Sequence, residues 1–372
     1  MNTMMRPWLL SLLLLSASGL SATAQVVGGQ RAFEFLRLSQ STRTSALGGI
    51  NVSDPASSIS TTAQNPALMR PGLHNQLGVQ YNRYPADINI ANLQYGYHSE
   101  KWNTSFSGNI QYLNYGSFNE TDPYGNVIGT FRGTDFAVSV GASKQYKDRW
   151  RGGVALKYAG SRFADLAAGA LLADVGVVYS DTDRLITIGA VAKNIGFMTR
   201  KYNSGNSAEP LPFDLQIGFS KRLERAPLRF HITAHHLYQW DVRYDNPADI
   251  VRSSLSGDTT SSSGDSHFFD KLGRHFIVGA DILLGKRITV TAAYNHLRRG
   301  ELALSEKGGL AGFSFGGSIN LDRFQVSYAR GVYHLAGATN EFGLNVNLAK
   351  TVGIGSATER LRWNKVYPDW GN

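Results

Sequence analysis

The chain has 372 residues, 40 glycines, 11% aromatic residues and no cysteine, and only 17% of its residues are charged although its formal net charge is +9. The lack of cysteine excludes a disulfide-stapled scaffold, thiolate metal sites, a catalytic cysteine and a lipoprotein anchor. Low charge combined with many aromatic residues excludes a disordered chain and favours β-structure beside a membrane. The length allows one large all-β domain or two ordinary domains.

The first 24 residues have the pattern of a cleaved secretory signal peptide. Arg6 precedes the apolar run 8–15, and the small residues Ala22-Thr23-Ala24 end the segment. The run is too short for a membrane-spanning helix, which needs about 20 apolar residues, and the alternative is a retained N-terminal anchor. Residues 1–24 carry one arginine and no carboxylate, so the mature chain has a net charge of +8. No later stretch of 18 apolar residues occurs, so the mature chain is predicted to be either soluble outside the inner membrane or a membrane β-barrel.

Residues 25–74 form the next predicted unit. They mix apolar and small polar residues without strand periodicity, and they are too long for a simple lead-in to a first strand. We therefore predict that residues 25–74 are an N-terminal hatch that plugs the lumen of the following domain.

The region 75–349 alternates apolar and polar residues with a period of two, as in Phe136, Val138 and Val140. Residues at i and i+2 share one face of a strand. Most segments have about 9–13 residues, which suits a tilted membrane strand of about 9–11 residues better than a soluble strand of about 5–6. About fourteen strands are predicted, near 75–83, 87–98, 102–114, 134–146, 149–161, 169–180, 185–195, 211–223, 227–239, 274–284, 287–297, 310–320, 322–330 and 340–349.

The predicted connections are longer at odd positions and short at even positions. The long ones lie near 116–133, 196–210 and 240–272. Outer-membrane barrels have short periplasmic turns and long external loops. The fold predicted is all-β: a transmembrane, up-and-down antiparallel β-barrel integral to the outer membrane, with residues 350–372 as a periplasmic tail.

The charged residues inside the predicted strands support this arrangement. Five of them lie on the polar face of their own strand, which would line the lumen: Lys157, Asp174, Lys193, Asp214 and Asp281. Tyrosine and tryptophan at strand ends are typical of aromatic girdles at the lipid headgroups. The alternative fold is a secreted soluble β-solenoid or a large sandwich.

Motifs for chemistry are not apparent. The chain lacks Ser-x-x-Lys and His-Glu-x-x-His sequences. His231 and His235 share the predicted lumen face, as wall residues or as part of a barrel-enzyme site, whereas His235 and His236 are predicted on opposite faces, which excludes a shared metal. No basic cluster suited to nucleic acid occurs, and the positive charge suits an anionic membrane surface. No catalytic, cofactor or metal residue is predicted, and the protein is expected not to be an enzyme.

A series of short motifs is distributed along the mature chain: Gly28-Gly29, Phe33–Leu36, Ser45–Ser53, Asn65–Leu68, Thr121-Asp122, Gly125-Asn126, Leu211–Asp214, Gly218–Lys221, Ala226-Pro227, Tyr328–Arg330 and Tyr333-His334. In this order the motifs resemble the PorQ family of the type IX secretion system. The Ala-Leu-Gly-Gly and Asn-Pro-Ala elements are also similar to fatty-acid-transporter-like barrels, in which the N-terminal segment forms a hatch.

The resemblance implies a non-enzymatic outer-membrane component of type IX secretion in Bacteroidota. It would anchor an attachment complex of PorZ-, PorU- and PorV-like proteins that processes exported cargo and links it to lipopolysaccharide. Its partners would be the PorZ-like surface protein, the other subunits, membrane lipid and lipopolysaccharide, contacted through the long external loops, with the binding residues not identified. The alternative function is a hatch-plugged barrel that transports hydrophobic small molecules, which predicts an apolar lumen pocket near residues 25–74; the mostly polar inward faces count against it. A general porin is the third possibility.

Overall fold

The computed structural model describes residues 31–55, 58–85, 87–202, 209–242, 265–302, 309–334 and 337–352. The predicted signal peptide, residues 1–24, lies outside the described residues. So do most of the predicted tail 350–372 and the middle of the predicted long connection 240–272.

The described residues form fourteen strands. The first seven are β1 (Gln76–Arg83), β2 (Asn89–Ser99), β3 (Thr104–Thr121), β4 (Val127–Tyr146), β5 (Trp150–Phe163), β6 (Leu166–Asp181) and β7 (Ile186–Arg200). The second seven are β8 (Asp214–Arg222), β9 (Leu228–Ala234), β10 (Phe276–Leu284), β11 (Ile288–Asn295), β12 (Phe313–Asn320), β13 (Phe324–His334) and β14 (Gly337–Asn347).

The strands close into one antiparallel barrel in which each strand pairs with its neighbours in sequence. The last strand returns to the first, with Val79 opposite Leu344 in the β1–β14 ladder. Closure leaves no exposed sheet edge, which an all-β structure in lipid requires. The predicted fold, including the strand number, is confirmed.

The side chains are arranged with the apolar face outside and the polar face inside. Outward positions such as Val140 and Leu156 are exposed, at 63% and 61%. The predicted lumen charges are buried on the inner face, including Lys157 and Asp174, whose Nζ and Oδ2 atoms are 2.9 Å apart. A closed barrel with an apolar outer surface is a protein of the outer membrane.

The external hairpins differ from the prediction. Residues 116–133 are not a long loop, because β3 and β4 continue as a paired ladder, with Phe118 opposite Phe131, up to the turn 122–126. Asp122 closes this turn by accepting hydrogen bonds from the backbone N–H groups of Tyr124 and Asn126, both at 2.9 Å. The polar residues of this stretch resembled a loop, yet they pair across the hairpin above the membrane.

The other described elements are short helices. The 3-10 helices are Glu34–Arg37, Ile59–Ala63, Pro66–Leu68 and Pro71–Leu73, and the α-helices are Thr42–Ala46, Asp265–Arg274, His296–Leu302 and Leu348–Thr351. Within the described ranges, none of the helices has the length and apolar character needed to cross a membrane. The last residue of 31–75 meets the helix after β14 at the end with the short turns, where the Leu348 N–H donates to the Asn75 carbonyl at 2.9 Å.

The outward face of β4 provides a test of the membrane position. Val140→Arg places a charge on the lipid-facing surface near the middle of the bilayer, so we expect a loss of about 2–4 kcal/mol in the free energy of unfolding. The control is Val127→Arg, on the hairpin outside the barrel, which is expected to have little effect. Denaturant unfolding in lipid vesicles measures both, and equal losses would contradict the proposed position of the membrane.

Candidate functional site

Residues 31–75, called the inner segment below, lie inside the barrel. Their side chains and backbone meet the inner faces of strands on opposite sides of the wall. On one side Thr42 Oγ1 is 2.6 Å from Ser327 Oγ of β13. On the other side the Nζ of Lys193 on β7 donates to the Ala63 carbonyl at 3.3 Å. The inner segment therefore bridges the lumen.

The Ala-Leu-Gly-Gly motif forms one attachment of the inner segment. Ser41 caps the helix Thr42–Ala46 by accepting from the Thr44 N–H. The helix ends at Ala46 with Leu47 as its C-cap, and the next residue, Gly48, has a left-handed φ of 86° that favours glycine. The Gly48 carbonyl then accepts a hydrogen bond from Asn295 Nδ2 of β11 at 3.0 Å. This cap and turn hold the short helix against the wall.

The Asn-Pro-Ala motif forms a second attachment, against β5–β7. Asn65 Oδ1 accepts from the Ala67 N–H at 3.0 Å, while Asn65 Nδ2 donates to the Val52 carbonyl at 3.1 Å. Gly153 of β5 lies directly under this turn, since a Cβ atom there would lie 2.5 Å from the Ala67 nitrogen. Glycine at this inward position lets the inner segment reach the wall.

A buried ionic cluster forms the third attachment. Arg43 of the inner segment contacts Asp54 with its Nε at 2.7 Å and Asp281 of β10 with its Nη2 at 2.6 Å. Arg229 Nη1 lies 3.6 Å from the same Asp281 carboxylate, and His231 Nε2 lies 3.0 Å from it. Burial raises the pKa of the Asp54 carboxyl, but the positive charge of Arg43 outweighs it, so this pKa is lowered overall. The carboxylate stays ionised and pairs with Arg43.

At the external end, the inner face of the barrel is apolar. Ile90, Leu113 and Leu172 point inward and are almost fully buried. They form one cluster with Phe33 and Phe35 of the inner segment. Four alanines complete this surface: Ala137, Ala159, Ala168 and Ala170. These alanines together with Ile90, Leu113 and Leu172 are called the apolar patch below.

Four aromatic rings extend the apolar patch above the barrel. Tyr115 packs on Phe163 with ring centroids 5.6 Å apart, and Phe118 stacks on Phe131 at 5.3 Å. Phe118 also lies 5.7 Å from Phe163. Phe118 and Phe131 are on the hairpin face that continues the inner wall, and Phe163 lies at the end of β5. Tyr115 connects these rings to the cluster of Phe33 and Phe35, and its hydroxyl donates to the buried Asp135 carboxylate at 2.6 Å.

At the other end the interior is polar and tightly filled. A cavity of about 30 Å³ lies between the inner segment and the wall, and it is lined by residues such as Arg43, Arg229, Ser327 and Asn345. A space of this size can hold ordered water between the polar groups that line it. The inner segment therefore leaves little free space between itself and this part of the wall.

The histidines differ in part from the prediction. His231 faces the lumen as predicted. His235 and His236 are not on opposite faces, because β9 ends at Ala234 and His236 adopts a left-handed φ of 55°. Their Nδ1 atoms consequently lie 2.6 Å apart. In the part of the chain that the structure describes, no three His, Cys, Asp or Glu side chains are grouped so that they could hold a metal ion.

Some residues of the site carried no usable signal in the sequence. The partnership of Arg43 with Asp281 joins positions 238 residues apart. Residues 312–316 read Gly-Phe-Ser-Phe-Gly, which matches the Gly-x-Ser-x-Gly pattern, and they lie at the start of strand β12. Its Ser314 is an inward-facing wall residue and not the exposed serine of a strand-to-helix elbow.

Comparisons with known proteins show only remote likenesses. No family model matches the chain, and no curated protein matches it. The chain is similar to the CymD monoaromatic hydrocarbon channel at 11% identity and a TM-score of 0.46, over 85% of this chain and 97% of that one. It is also similar to a TodX monoaromatic hydrocarbon channel deltaS2 mutant at 13% identity and a TM-score of 0.44, over 79% of this chain and 95% of that one. A third similar structure is that of a Pseudomonas aeruginosa FadL homologue, at 12% identity and a TM-score of 0.40, over 80% of this chain and 94% of that one.

The buried ionic cluster is expected to hold the inner segment firmly in place, and loss of Arg43 should loosen it. Arg43→Met leaves the buried carboxylates of Asp54 and Asp281 short of a partner, which costs about 3–5 kcal/mol for a buried pair. We expect faster amide hydrogen exchange in residues 31–75 and unchanged exchange in the barrel strands. Arg83→Met, which breaks an exposed pair with Asp87, is the control and should leave the exchange unaltered.

Two adjacent glycines of β5 test the close approach at the Asn-Pro-Ala motif. Gly153→Val overpacks the contact with Ala67, at a cost of about 1–3 kcal/mol. Gly152→Val is the matched control because a Cβ atom there meets nothing within 4 Å. Faster exchange around residues 65–68 is expected only for Gly153→Val, and equal behaviour of the two variants would contradict the contact.

Proposed function

We propose that this protein is an outer-membrane channel for hydrophobic small molecules, with the inner segment as its hatch and no catalytic role. The observation that carries the proposal is the apolar patch on the inner wall, which faces neither lipid nor, in this state, water. The apolar lumen surface that this function requires lies beside Phe33 and Phe35.

The chemistry of the apolar patch supports this substrate class. Most other inward positions carry amides, hydroxyls or paired charges, so an apolar surface there needs an apolar covering. Removing apolar surface from water is worth about 25 cal/mol per Å². Phe33, Phe35 and Leu36 supply this covering now, and an apolar ligand that replaced them would make equivalent contacts.

The aromatic rings above the barrel provide an entry for such a ligand. Phe118 is 37% exposed and lies against the other rings of the cluster, with Tyr115 in contact with the apolar patch. Planar apolar molecules pack well on aromatic faces. A molecule arriving from outside would therefore meet the aromatic rings first and then, past the buried Asp135 and Ser161 side chains, the apolar patch.

Passage also requires the inner segment to move. Its attachments to the wall around the cavity near Ser327 and Asn345 are hydrogen bonds and ion pairs rather than an apolar core. Water can replace such polar contacts once the segment shifts, whereas it cannot replace buried apolar contacts. The polar attachments on this side can thus be exchanged for water, while the buried apolar contacts of Phe33 and Phe35 are those that an apolar ligand would replace.

Two matched substitutions test the proposed channel. Ile90→Gln places an amide in the apolar patch, and we expect the uptake of an apolar naphthylamine dye by cells producing the protein to fall about tenfold. Ile128→Gln, at an exposed position on the β3–β4 hairpin, should change uptake less than twofold. Equal uptake by both variants and the unmodified protein would contradict the proposal.

We propose as a second function that the tip of the β3–β4 hairpin binds a surface protein, as the resemblance to the PorQ family implies. Tyr124 is 90% exposed and Ile128 is 65% exposed, and both lie on the part of the hairpin that projects beyond the barrel. An exposed apolar surface of this kind is typical of binding sites.

This second function has its own test. Tyr124→Ser combined with Ile128→Gln is expected to reduce co-purification of a PorZ-like protein about tenfold, while dye uptake stays unchanged. The control is Ile90→Gln, which should retain the partner. Full co-purification by the hairpin variant would contradict the second function.

A further inference from the structure

The short turns at the periplasmic end of β8–β13 carry a cluster of basic side chains. Arg225, Lys286, Arg287 and Arg323 are all exposed. Among the described residues, none of these four forms an ion pair. The acidic residues in the same three turns are Glu224 and Asp322, so this sector has an excess of positive charge.

Backbone hydrogen bonds hold the three turns side by side. The Leu283 N–H donates to the Pro227 carbonyl at 2.7 Å and joins the β8–β9 turn to the end of β10. The Asn320 N–H donates to the Arg287 carbonyl at 2.7 Å and joins the next two turns. The basic residues therefore form one continuous patch, called the basic rim below.

The other side of the periplasmic end differs in its electrostatics. There Asp181 accepts from Arg149 at 2.8 Å, and Asp183 lies 3.4 Å from the same guanidinium. Arg184 is 3.9 Å from Asp181. The positive charges near β6 and β7 are thus neutralised locally, unlike those of the basic rim.

The basic rim borders directly on the lipid-facing surface. Leu284, Ile288 and Phe324 point outward and are exposed next to the turns. Ile288 pairs with Leu284 and with Ile319, which is 51% exposed, so these apolar side chains form a single strip. A ligand that has both phosphate and acyl chains matches a cationic patch above an apolar strip.

We propose that the basic rim binds the headgroup of an anionic phospholipid of the inner leaflet, with the acyl chains against Leu284, Ile288, Ile319 and Phe324. The guanidinium and ammonium groups donate to the phosphate oxygens, and arginine does so in a bidentate manner. This binding depends on the barrel alone and is independent of the two proposed functions.

Native mass spectrometry of the full protein in micelles tests this binding. Phosphatidylglycerol and phosphatidylethanolamine are supplied in equal amounts. The unmodified protein is expected to retain phosphatidylglycerol with a preference of about tenfold. The variant Arg225→Gln, Lys286→Gln, Arg287→Gln, Arg323→Gln should reduce this preference to about twofold or less.

The matched control removes the same number of charges from the other sector of the same rim, with Lys101→Gln, Lys144→Gln, Lys147→Gln and Arg184→Gln. It is expected to keep the preference within about twofold of the unmodified protein. Inorganic phosphate at the concentration of the lipid should not displace the lipid, because it lacks acyl chains. Equal loss in both variants, no preference in the unmodified protein, or displacement by phosphate would each overturn the proposal.

Discussion

The structure depends on one constraint: a chain in lipid has no water to satisfy its backbone, so every N–H and C=O group must find a partner within the protein. Closure of β14 on β1 meets this constraint without leaving an open edge. Closure also assigns the two faces of each strand, with apolar side chains to lipid and polar side chains to the lumen. The charged residues of the strands can then be accommodated only inside.

A polar interior of this size has to be filled or hydrated, and here the inner segment fills it. Its serine, threonine and asparagine side chains provide caps within the segment and bonds to the wall. Arg43 compensates the carboxylates of Asp54 and Asp281, whose burial alone would be strongly unfavourable. The apolar patch at the external end is the exception to this polar pattern, and for that reason the proposed substrate class rests on it.

Period-two alternation predicted the strands and their faces well because this signal depends on neighbouring residues only. The same method failed for residues 116–133, where polar side chains at the hairpin tip resembled a loop although they continue the ladder above the membrane. It also failed for His235 and His236, where a single left-handed residue ends the alternation. Phe33 and Phe35 stood in a segment without periodicity, so their packing against Ile90 and Leu172 carried no signal.

By itself, the sequence determined the class of fold, the number of strands, and which face of each strand is apolar and which is polar. It could do so because the lipid environment selects residues position by position along a strand. Only the tertiary structure decided which residues meet across the lumen. Arg43 reaches Asp281, Asn65 lies beside Val52, and three separate turns combine into the basic rim. Such contacts follow from barrel closure and strand register, which bring together residues that are distant in sequence and leave no local pattern.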